Sequence, residues 1–520
     1  MSTALQESLN RAASLQLAGN VAGAAAELEG AKDAGVSSST LDFALGHLRF
    51  ECGDIEDAAQ SFRNVVQEGN DAVARYNLAV CLWQLEAWEE SASEFRQSIA
   101  VDPRRTGAYV GLGLCSLRLD QPAEAVHAFD VCLERQPFRE TVLAGKAAAL
   151  IALERYGEAA GILETLLLRN PQSEELLSNG IVVALAMGDY ELAASRAGRL
   201  LAISPQSASA LDALAVAAAA RRDYDAAARF CEALLELQPG NAAACFNRGV
   251  ALQKLGRYAE AADAYSRAAD ADPREPRSFV SLGAVLQELN RLEEARQAYE
   301  HVLNELDPAN RAALWNLGLL LEAGEDLASA LDRFVRLVEL YPESPDAWFR
   351  IGFIRLLQKD YRASIAAFQA CLDLEPTNCE ALLNIGIAQW KLGNPTEAEQ
   401  TFRQILALEP KSSEALRGLA AISLERQNLK EALAAHKQLL EVDEADADVL
   451  YNTALLMQRL GRLSDAAAYY RQALALRPDF PEALLNLGHA LMAIGKTDEA
   501  QLSWQAALRT NPGLAEALLA

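Results

Sequence analysis

Cysteine and histidine, the residues that most often bind metals or act as nucleophiles, are sparse and scattered in this chain. The cysteines are Cys52, Cys81, Cys115, Cys132, Cys231, Cys245, Cys371 and Cys379, and the histidines are His47, His127, His301, His436 and His489. They form neither a C-x-x-C nor an H-x-x-x-H pair, the spacings typical of metal sites. The sequence also lacks a phosphate-binding glycine loop and a G-x-S-x-G elbow. It therefore predicts a protein that is not an enzyme and has no cofactor and no metal site.

Composition indicates the compartment and the class of partner. The net charge is −25, from 72 acidic and 47 basic residues, whereas nucleic-acid binding needs a basic surface. Residues Met1–Ser14 have neither a basic start nor an apolar core, and no apolar run reaches the roughly 18 residues of a membrane span. Cysteines at apolar packing positions are typical of a reducing compartment. We therefore predict a cytoplasmic protein that binds neither nucleic acid nor membrane, with neutral or basic partners.

The elements that position any site are best seen in residues 379–412. Leu382, Ile385 and Gly386 begin an apolar stripe at helical spacing. Gly393 interrupts this stripe where a left-handed residue ends a helix. A second stripe continues through Phe402, and Pro410 ends it. The unit is therefore predicted to be a helix, a tight turn and a second helix.

Prolines show that this unit recurs along the chain. They lie 34 residues apart at Pro103, Pro137, Pro171, Pro205, Pro239 and Pro273, and again at Pro308, Pro342, Pro376 and Pro410. The interval from Pro273 to Pro308 is 35, so one residue is inserted near His301–Asp307. Glu444 replaces the next proline, and Pro478 and Pro512 return to phase. We count about fifteen repeats, which start near residues 5, 39, 72, 106, 140, 174, 208, 242, 276, 311, 345, 379, 413, 447 and 481.

The repeat resembles the tetratricopeptide repeat, an antiparallel pair of helices. Counting positions from the start of each repeat, the resemblance depends on Leu382 at position 4, Ile385-Gly386 at positions 7 and 8, Ala398 at position 20, Phe402 at position 24 and Pro410 at position 32. It implies an all-α fold, a right-handed superhelical α-solenoid of antiparallel helix pairs. The small residues would let two helices cross closely, and Phe402 would fill the gap to the next repeat.

Departures from the pattern divide the chain. We predict a degenerate N-terminal capping repeat (1–38), regular repeats (39–139), weaker alanine-rich repeats (140–241), repeats with the densest groove features (242–514) and an incomplete next helix (515–520). In the alanine-rich repeats Leu163, Ala197 and Cys231 replace the aromatic at position 24. Less side-chain volume weakens packing, so we expect this segment to open before its flanks.

The resemblance also implies where binding residues lie. In tetratricopeptide proteins the first helices line the concave wall, with positions 5, 6, 9 and 12 among those facing it. Position 6 is asparagine at Asn77, Asn179, Asn247, Asn316, Asn384, Asn452 and Asn486. This series resembles the asparagine ladder in the repeat arm of O-linked N-acetylglucosamine transferases, where amides hold an extended polypeptide. A carboxamide donates and accepts, so it pairs with any peptide group. The alternative is that these are solvated residues on an inner wall.

Aromatic residues add a second feature to this wall. Position 5 is aromatic at Tyr76, Phe246, Trp315, Phe349 and Tyr451, with Phe43 earlier, while Arg350 and Trp390 occupy positions 6 and 12. Aromatic side chains on a concave wall can anchor a ligand; the alternative is that they pack against the adjacent repeat. The densest combination lies in residues 242–460, our predicted binding region. The carboxylate clamp of chaperone-binding relatives fails here, because Asp346, Val280 and Ala284 replace its basic and amide residues.

Three hypotheses for the function remain open. The first is a non-enzymatic scaffold that binds protein or extended peptide segments in a concave groove. The second is the substrate-recognition arm of a glycosyltransferase or other enzyme whose catalytic part is absent or on another chain, which the apolar C-terminal end favours. The third is a self-assembling scaffold. The oligomeric state and the partner's identity do not follow from the sequence.

Overall fold

The protein is built from repeated helix pairs, as the sequence predicts. A computed structural model describes residues 3–442, 446–511 and 513, in which thirty α-helices form fifteen antiparallel pairs without any strand. The first helices are α1 Thr3–Leu17, α3 Ser39–Cys52, α5 Ala72–Gln84, α7 Thr106–Arg118, α9 Glu140–Ala152, α11 Glu174–Ala186, α13 Ala208–Ala220, α15 Ala242–Lys254, α17 Pro276–Glu288, α19 Arg311–Ala323, α21 Pro345–Leu357, α23 Cys379–Lys391, α25 Ser413–Glu425, α27 Ala447–Arg459 and α29 Pro481–Ala493.

The second helices complete the pairs. They are α2 Val21–Asp33, α4 Ile55–Glu68, α6 Trp88–Val101, α8 Pro122–Arg135, α10 Tyr156–Arg169, α12 Tyr190–Ile203, α14 Tyr224–Leu237, α16 Tyr258–Ala271, α18 Leu292–His301, α20 Leu327–Leu340, α22 Tyr361–Leu374, α24 Pro395–Leu408, α26 Leu429–Val442, α28 Leu463–Leu476 and α30 Thr497–Thr510. Every predicted repeat start from residue 39 to residue 481 is the first residue of an odd-numbered helix. The all-α solenoid of antiparallel helix pairs is thereby confirmed. Glu444, Pro512 and the predicted helix at 515–520 lie outside the described residues.

The helix pairs group into two compact units, Met1–Pro273 with α1–α16 and Arg274–Ala520 with α17–α30. Within each unit the core is a series of apolar clusters that pass from pair to pair. One cluster of the first unit runs from Ala125 to Ala213, and one of the second unit runs from Leu286 to Ala367. Each helix pair therefore buries its apolar face mainly against its neighbours in sequence, as in other solenoids.

The turn between the two helices has the same backbone conformation in every repeat. Position 15 has a positive φ throughout, 85° at Gly393 and 63° at Lys359 for example. The left-handed conformation predicted at Gly393 is confirmed. Glycine occupies only some of these positions, and the others are Glu86, Asp120, Glu154, Arg222, Asn290, Glu325, Lys359 and Gln427. The packing of the helix pair thus imposes a conformation that L-residues adopt only at a cost.

The inserted residue near His301–Asp307 is accommodated inside a helix. After α18, residues Val302–Leu306 form a π-helical turn, in which the Asp307 N–H donates to the Val302 carbonyl at 2.7 Å. A π turn holds one more residue than an α turn. The predicted insertion is therefore confirmed, and the next pair starts in register at Arg311.

An aromatic ring at position 24 fixes the contact between neighbouring repeats. The Phe402 ring is buried between Gly386 of its own repeat and Gly418 of the next, and a Cβ added at either glycine would lie 2.6 Å from a ring atom. The same contact recurs between Gly352 and Phe368 and between Gly318 and Phe334. The ring at position 24 therefore fills the gap to the next repeat, as predicted, and it also forms a matched pair with the small residue at position 8.

Two repeats without such an aromatic use other side chains in its place. Arg196, only 3% exposed, lies along Gly180 and donates from Nη1 to the Gly180 carbonyl at 2.7 Å. His436 occupies position 24 of the repeat that begins at residue 413, a role that the scattered histidine pattern did not reveal. Its ring is 8% exposed, and Nδ1 lies 2.9 Å from the Ala432 carbonyl. Burial lowers the pKa of His436.

We expect Gly352→Ala to lower the free energy of unfolding by about 1–3 kcal/mol, because overpacking against the Phe368 ring forces side chains off their rotamers. A new Cβ would lie 2.8 Å from that ring. Urea unfolding followed by circular dichroism measures the change. The control is Gly161→Ala in α10, where a Cβ meets no atom within 4 Å; it should raise the free energy by about 0.5–1 kcal/mol. Equal effects of both substitutions would contradict the matched pair.

We expect His436 to make the stability sensitive to mild acid. Because its pKa is lower in the folded state, the unfolded chain binds the proton more readily, and stability is lost as pH falls below the ordinary value of about 6.5. His436→Phe should therefore gain stability relative to the wild type at pH 5 more than at pH 7.5, as read from urea midpoints. The exposed His127→Phe is the control, and an equal change in both variants would refute this role.

Candidate functional site

The first helices form one continuous side of each unit, which we call the inner wall. Consecutive first helices contact each other directly, for example α11 with α13 in the first unit and α23 with α25 in the second. Cavities that open between successive first helices are lined by residues at positions 6 and 9. The asparagines and aromatics proposed from the sequence therefore lie on this wall, those up to Asn247 in the first unit and the others in the second.

Three of the seven position-6 asparagines interact with side chains of the preceding repeat. Asn77 Nδ2 lies 3.1 Å from His47 Nε2, and Asn486 Nδ2 donates to the Tyr451 hydroxyl at 2.9 Å. The Asn316 amide faces the Tyr299 hydroxyl, which itself donates to Gln287 Oε1 at 2.6 Å. These amides help to join neighbouring repeats.

The other four asparagines have available amides. In the part of the chain that the structure describes, no hydrogen bond is made by the side chains of Asn179, Asn247, Asn384 and Asn452. All four are at least partly exposed on the inner wall. A free carboxamide presents two donors and an acceptor, which is the set that a peptide backbone would pair with.

The position-5 aromatics pack on the ring at position 24 of their own repeat. The ring centroids are 5.8 Å apart for Tyr76 with Phe95, 5.4 Å for Phe246 with Tyr265, 5.6 Å for Trp315 with Phe334, 5.2 Å for Phe349 with Phe368 and 5.8 Å for Tyr451 with Tyr470. The planes are tilted or perpendicular, the geometry that favours ring edges on ring faces. All five are only partly exposed, so each supports the core ring of its repeat and presents its remaining surface to the wall.

Two further predicted site residues are partnered by carboxylates. Arg350 Nη1 lies 3.2 Å from Glu322 Oε1, and Trp390 Nε1 donates to Glu425 Oε2 at 2.7 Å. The other oxygen of Glu322 is buried, and no described residue hydrogen-bonds to it. Arg350 is therefore already engaged with a carboxylate of the same wall.

Two cavities of about 190 Å³ each lie on the wall of the first unit. One includes Tyr76 and Asn77 together with His47, Phe50, Phe62 and Val80. The other includes Asn247 together with Ala215, Val216, Ala219, Tyr224, Ala227, Cys231, Val250 and Ala251. Apart from the asparagines and Tyr76, these lining residues were not among the predicted site residues. Their positions in the repeat could have identified several of them. Position 9 is occupied by His47, Val80, Val216 and Val250, and position 12 by Phe50 and Ala219.

Comparisons with known families agree with the helix-pair architecture. Models described as tetratricopeptide repeat match residues 43–100, 181–242, 242–275, 280–336, 316–378 and 355–422, and one described as TPR repeat matches residues 459–495. The chain is a tetratricopeptide repeat protein. The tetratricopeptide fold indicates a scaffold for protein interactions. A model described as coatomer epsilon subunit also matches residues 121–206.

Solved structures with similar helix arrays are distant from this tetratricopeptide repeat protein. A tetratricopeptide repeat protein from Parabacteroides merdae ATCC 43184 is 16% identical, with 49% of this chain and 100% of that chain covered and a TM-score of 0.36. YrrB, described as a TPR protein with an unusual peptide-binding site, is 22% identical over 36% and 97%, with a TM-score of 0.33. A chain from Naa15/Naa10 bound to HypK-THB is 14% identical over 98% and 94%, with a TM-score of 0.34. The search of curated proteins finds no match.

Two further features of the described residues are the arrangement of possible metal ligands and the length and apolarity of the helices. Within residues 3–442, 446–511 and 513, no group of three or more His, Cys, Asp or Glu side chains is arranged to hold a metal ion. None of the helices described is both long and apolar enough to cross a membrane.

Proposed function

We propose that this protein is a scaffold that holds extended polypeptide segments along its inner wall. The observation that carries the proposal is the set of free amides at Asn179, Asn247, Asn384 and Asn452, which recur at one repeat position. An extended segment has peptide N–H and C=O groups that are not paired in secondary structure. These groups could exchange hydrogen bonds with each asparagine amide in turn. The repeat spacing gives the same chemistry at regular intervals along each unit, so the contacts depend on the backbone and not on one sequence.

Electrostatics supports a preference among such segments. The net charge of −25 repels acidic chains and attracts basic ones, and it increases the rate of encounter at low salt. The one arginine at position 6 of the second unit, Arg350, is paired with Glu322 and adds no free positive charge. We propose neutral or basic segments as the partners.

The thiols support a reducing, cytoplasmic location for this scaffold. All eight cysteines are free, and Cys81, Cys115, Cys132, Cys231, Cys245 and Cys371 are buried among the described helices. Burial raises the pKa of Cys81 and of Cys231 to about 12, so both remain thiols at neutral pH. Buried unpaired thiols are typical of proteins that fold where disulfides do not form.

The amide contacts can be tested by removing them. We expect the triple variant Asn247→Ala, Asn384→Ala, Asn452→Ala to lose partners that the wild type captures from a native lysate, because each change removes one unpaired amide. Alanine is the best helix former, so the fold should persist. Mass spectrometry identifies the captured proteins, and peptides from their contact regions then give dissociation constants, which should rise about tenfold or more for the variant.

A matched triple variant controls for the loss of carboxamides in general. Gln369, Gln404 and Gln472 are exposed on the second helices α22, α24 and α28, so Gln369→Ala, Gln404→Ala, Gln472→Ala removes three amides from the opposite side of the pairs. It should retain the wild-type partners. Loss of partners in this control with retention in the asparagine variant would place binding on the second helices and refute the proposal.

A further inference from the structure

The repeat that begins at residue 208 has a void where most other repeats have a ring. Its position 24 is Cys231, and the cavity of about 190 Å³ lies among α13, α14 and α15. The walls include Ala215, Ala227 and Cys231, which are 3%, 2% and 1% exposed. The cavity therefore extends from the inner wall into the core. The cavity beside Tyr76 differs, because the Phe62 ring occupies the corresponding depth.

Neighbouring repeats without a ring fill the same place with other side chains. Leu163 is fully buried at position 24 of the repeat that begins at residue 140. In the next repeat Arg196 lies along Gly180. Phe230 directly precedes Cys231, but its side chain packs in the cluster of Leu211, Leu234 and Cys245. The space beside Cys231 is thus not filled by Phe230.

An aromatic ring fits between the residue types that border this cavity. Position 8 here is Ala215, and position 6 of the following repeat is Asn247. The repeat that begins at residue 447 has the same combination, Ala454 at position 8 and Asn486 at position 6 of the next repeat, and there the Tyr470 ring is fully buried. Alanine and asparagine at these positions are therefore compatible with a ring. An apolar cavity of roughly 150 Å³ in another protein stays dry and binds benzene, so the volume is also sufficient.

The chemistry of the lining favours a ring with a polar attachment. Alanines, valines and Cys231 supply most of the surface, and burial keeps Cys231 uncharged by raising the pKa of its thiol to about 12. Two polar side chains, Tyr224 and Asn247, also line the cavity. Neither makes a hydrogen bond with any described residue. Both are available to the backbone from which an entering side chain projects.

We propose that the cavity beside Cys231 receives an aromatic side chain of a polypeptide segment bound along the inner wall. The inference rests on the proposed function, since it supplies the sequence selectivity that the amides lack. Asn247 pairs with the backbone of the segment while the ring projecting from that backbone takes the place that Phe129 or Tyr265 takes in other repeats. Polypeptides with a phenylalanine or tyrosine in an otherwise neutral or basic stretch are the predicted ligands.

The first experiment tests the cavity without any peptide. Fluorine NMR of 4-fluorophenol titrated with the 520-residue chain should show saturable binding to the wild type and at least tenfold weaker binding to Cys231→Phe, whose own ring fills the space. Cys231→Leu is a second filling variant in case the first does not fold. The control Arg229→Phe places the same ring on an exposed part of α14 and should bind the probe as the wild type does. Absence of binding to the wild type, or equal binding to the filled variants, would overturn the proposal.

The second experiment tests the peptide source of the ring. Acetylated and amidated Ala-Ala-Phe-Ala-Ala should bind the wild type at least tenfold more tightly than the all-alanine peptide, and this advantage should vanish in Cys231→Phe. Asn247→Ala should weaken the binding of the phenylalanine peptide, because it removes the amide that pairs with the peptide backbone. Probe binding without any advantage for the phenylalanine peptide would overturn the assignment to a polypeptide side chain. Loss of partners in the asparagine triple variant without probe binding would leave the scaffold proposal standing and refute the cavity alone.

Discussion

The rest of the structure depends on the packing of the aromatic ring at position 24 between neighbouring repeats. The Phe402 ring touches Gly386 at position 8 of its own repeat and Gly418 at position 6 of the next, and Phe129 makes the same two contacts with Gly113 and Gly145. One side chain therefore sets both the crossing of a helix pair and the docking of the following pair. Stability in such an array is a sum of local terms between neighbours, so a change in one ring alters the adjacent part of the wall without altering the fold. The second row of rings, at position 5, packs on the first and stiffens it.

The fold could be predicted from the sequence because the repeat appears fifteen times. Because the register recurs, every helix start could be predicted even in repeats that lack individual signals. The single interval of 35 residues between prolines was sufficient to locate the π turn at Val302–Leu306. The turn residues show the limit of this reasoning. Gly393 indicates a left-handed residue, whereas Lys359 and Gln427 have the same conformation and no sequence preference for it. The packing of the pair imposes that conformation, and only the three-dimensional contacts reveal it.

The candidate site was only partly predictable, because the register gives the position of a side chain and not its partner. All seven asparagines lie on first helices, yet Asn77 and Asn486 bond to His47 and Tyr451 while Asn247 has a free amide. Whether an amide is free depends on which residue the preceding repeat places opposite it. In the same way, the alanine content of residues 140–241 predicted reduced side-chain volume between the helices. The sequence did not indicate that Leu163 and Arg196 would fill two of the three gaps and that Cys231 would leave the third open.

Regular and irregular features of the wall have different consequences for recognition. Amides repeated at position 6 offer the same hydrogen bonds to every backbone, so they provide affinity without selecting a sequence. Selectivity requires a feature that one ligand satisfies and another does not, and a repeated surface has few of these. Where position 24 carries a ring such as Phe129 or Phe402, that ring packs between two repeats. Its replacement by Cys231 leaves a cavity at that place, and under our proposal this departure from the repeat pattern is where the wall distinguishes one sequence from another.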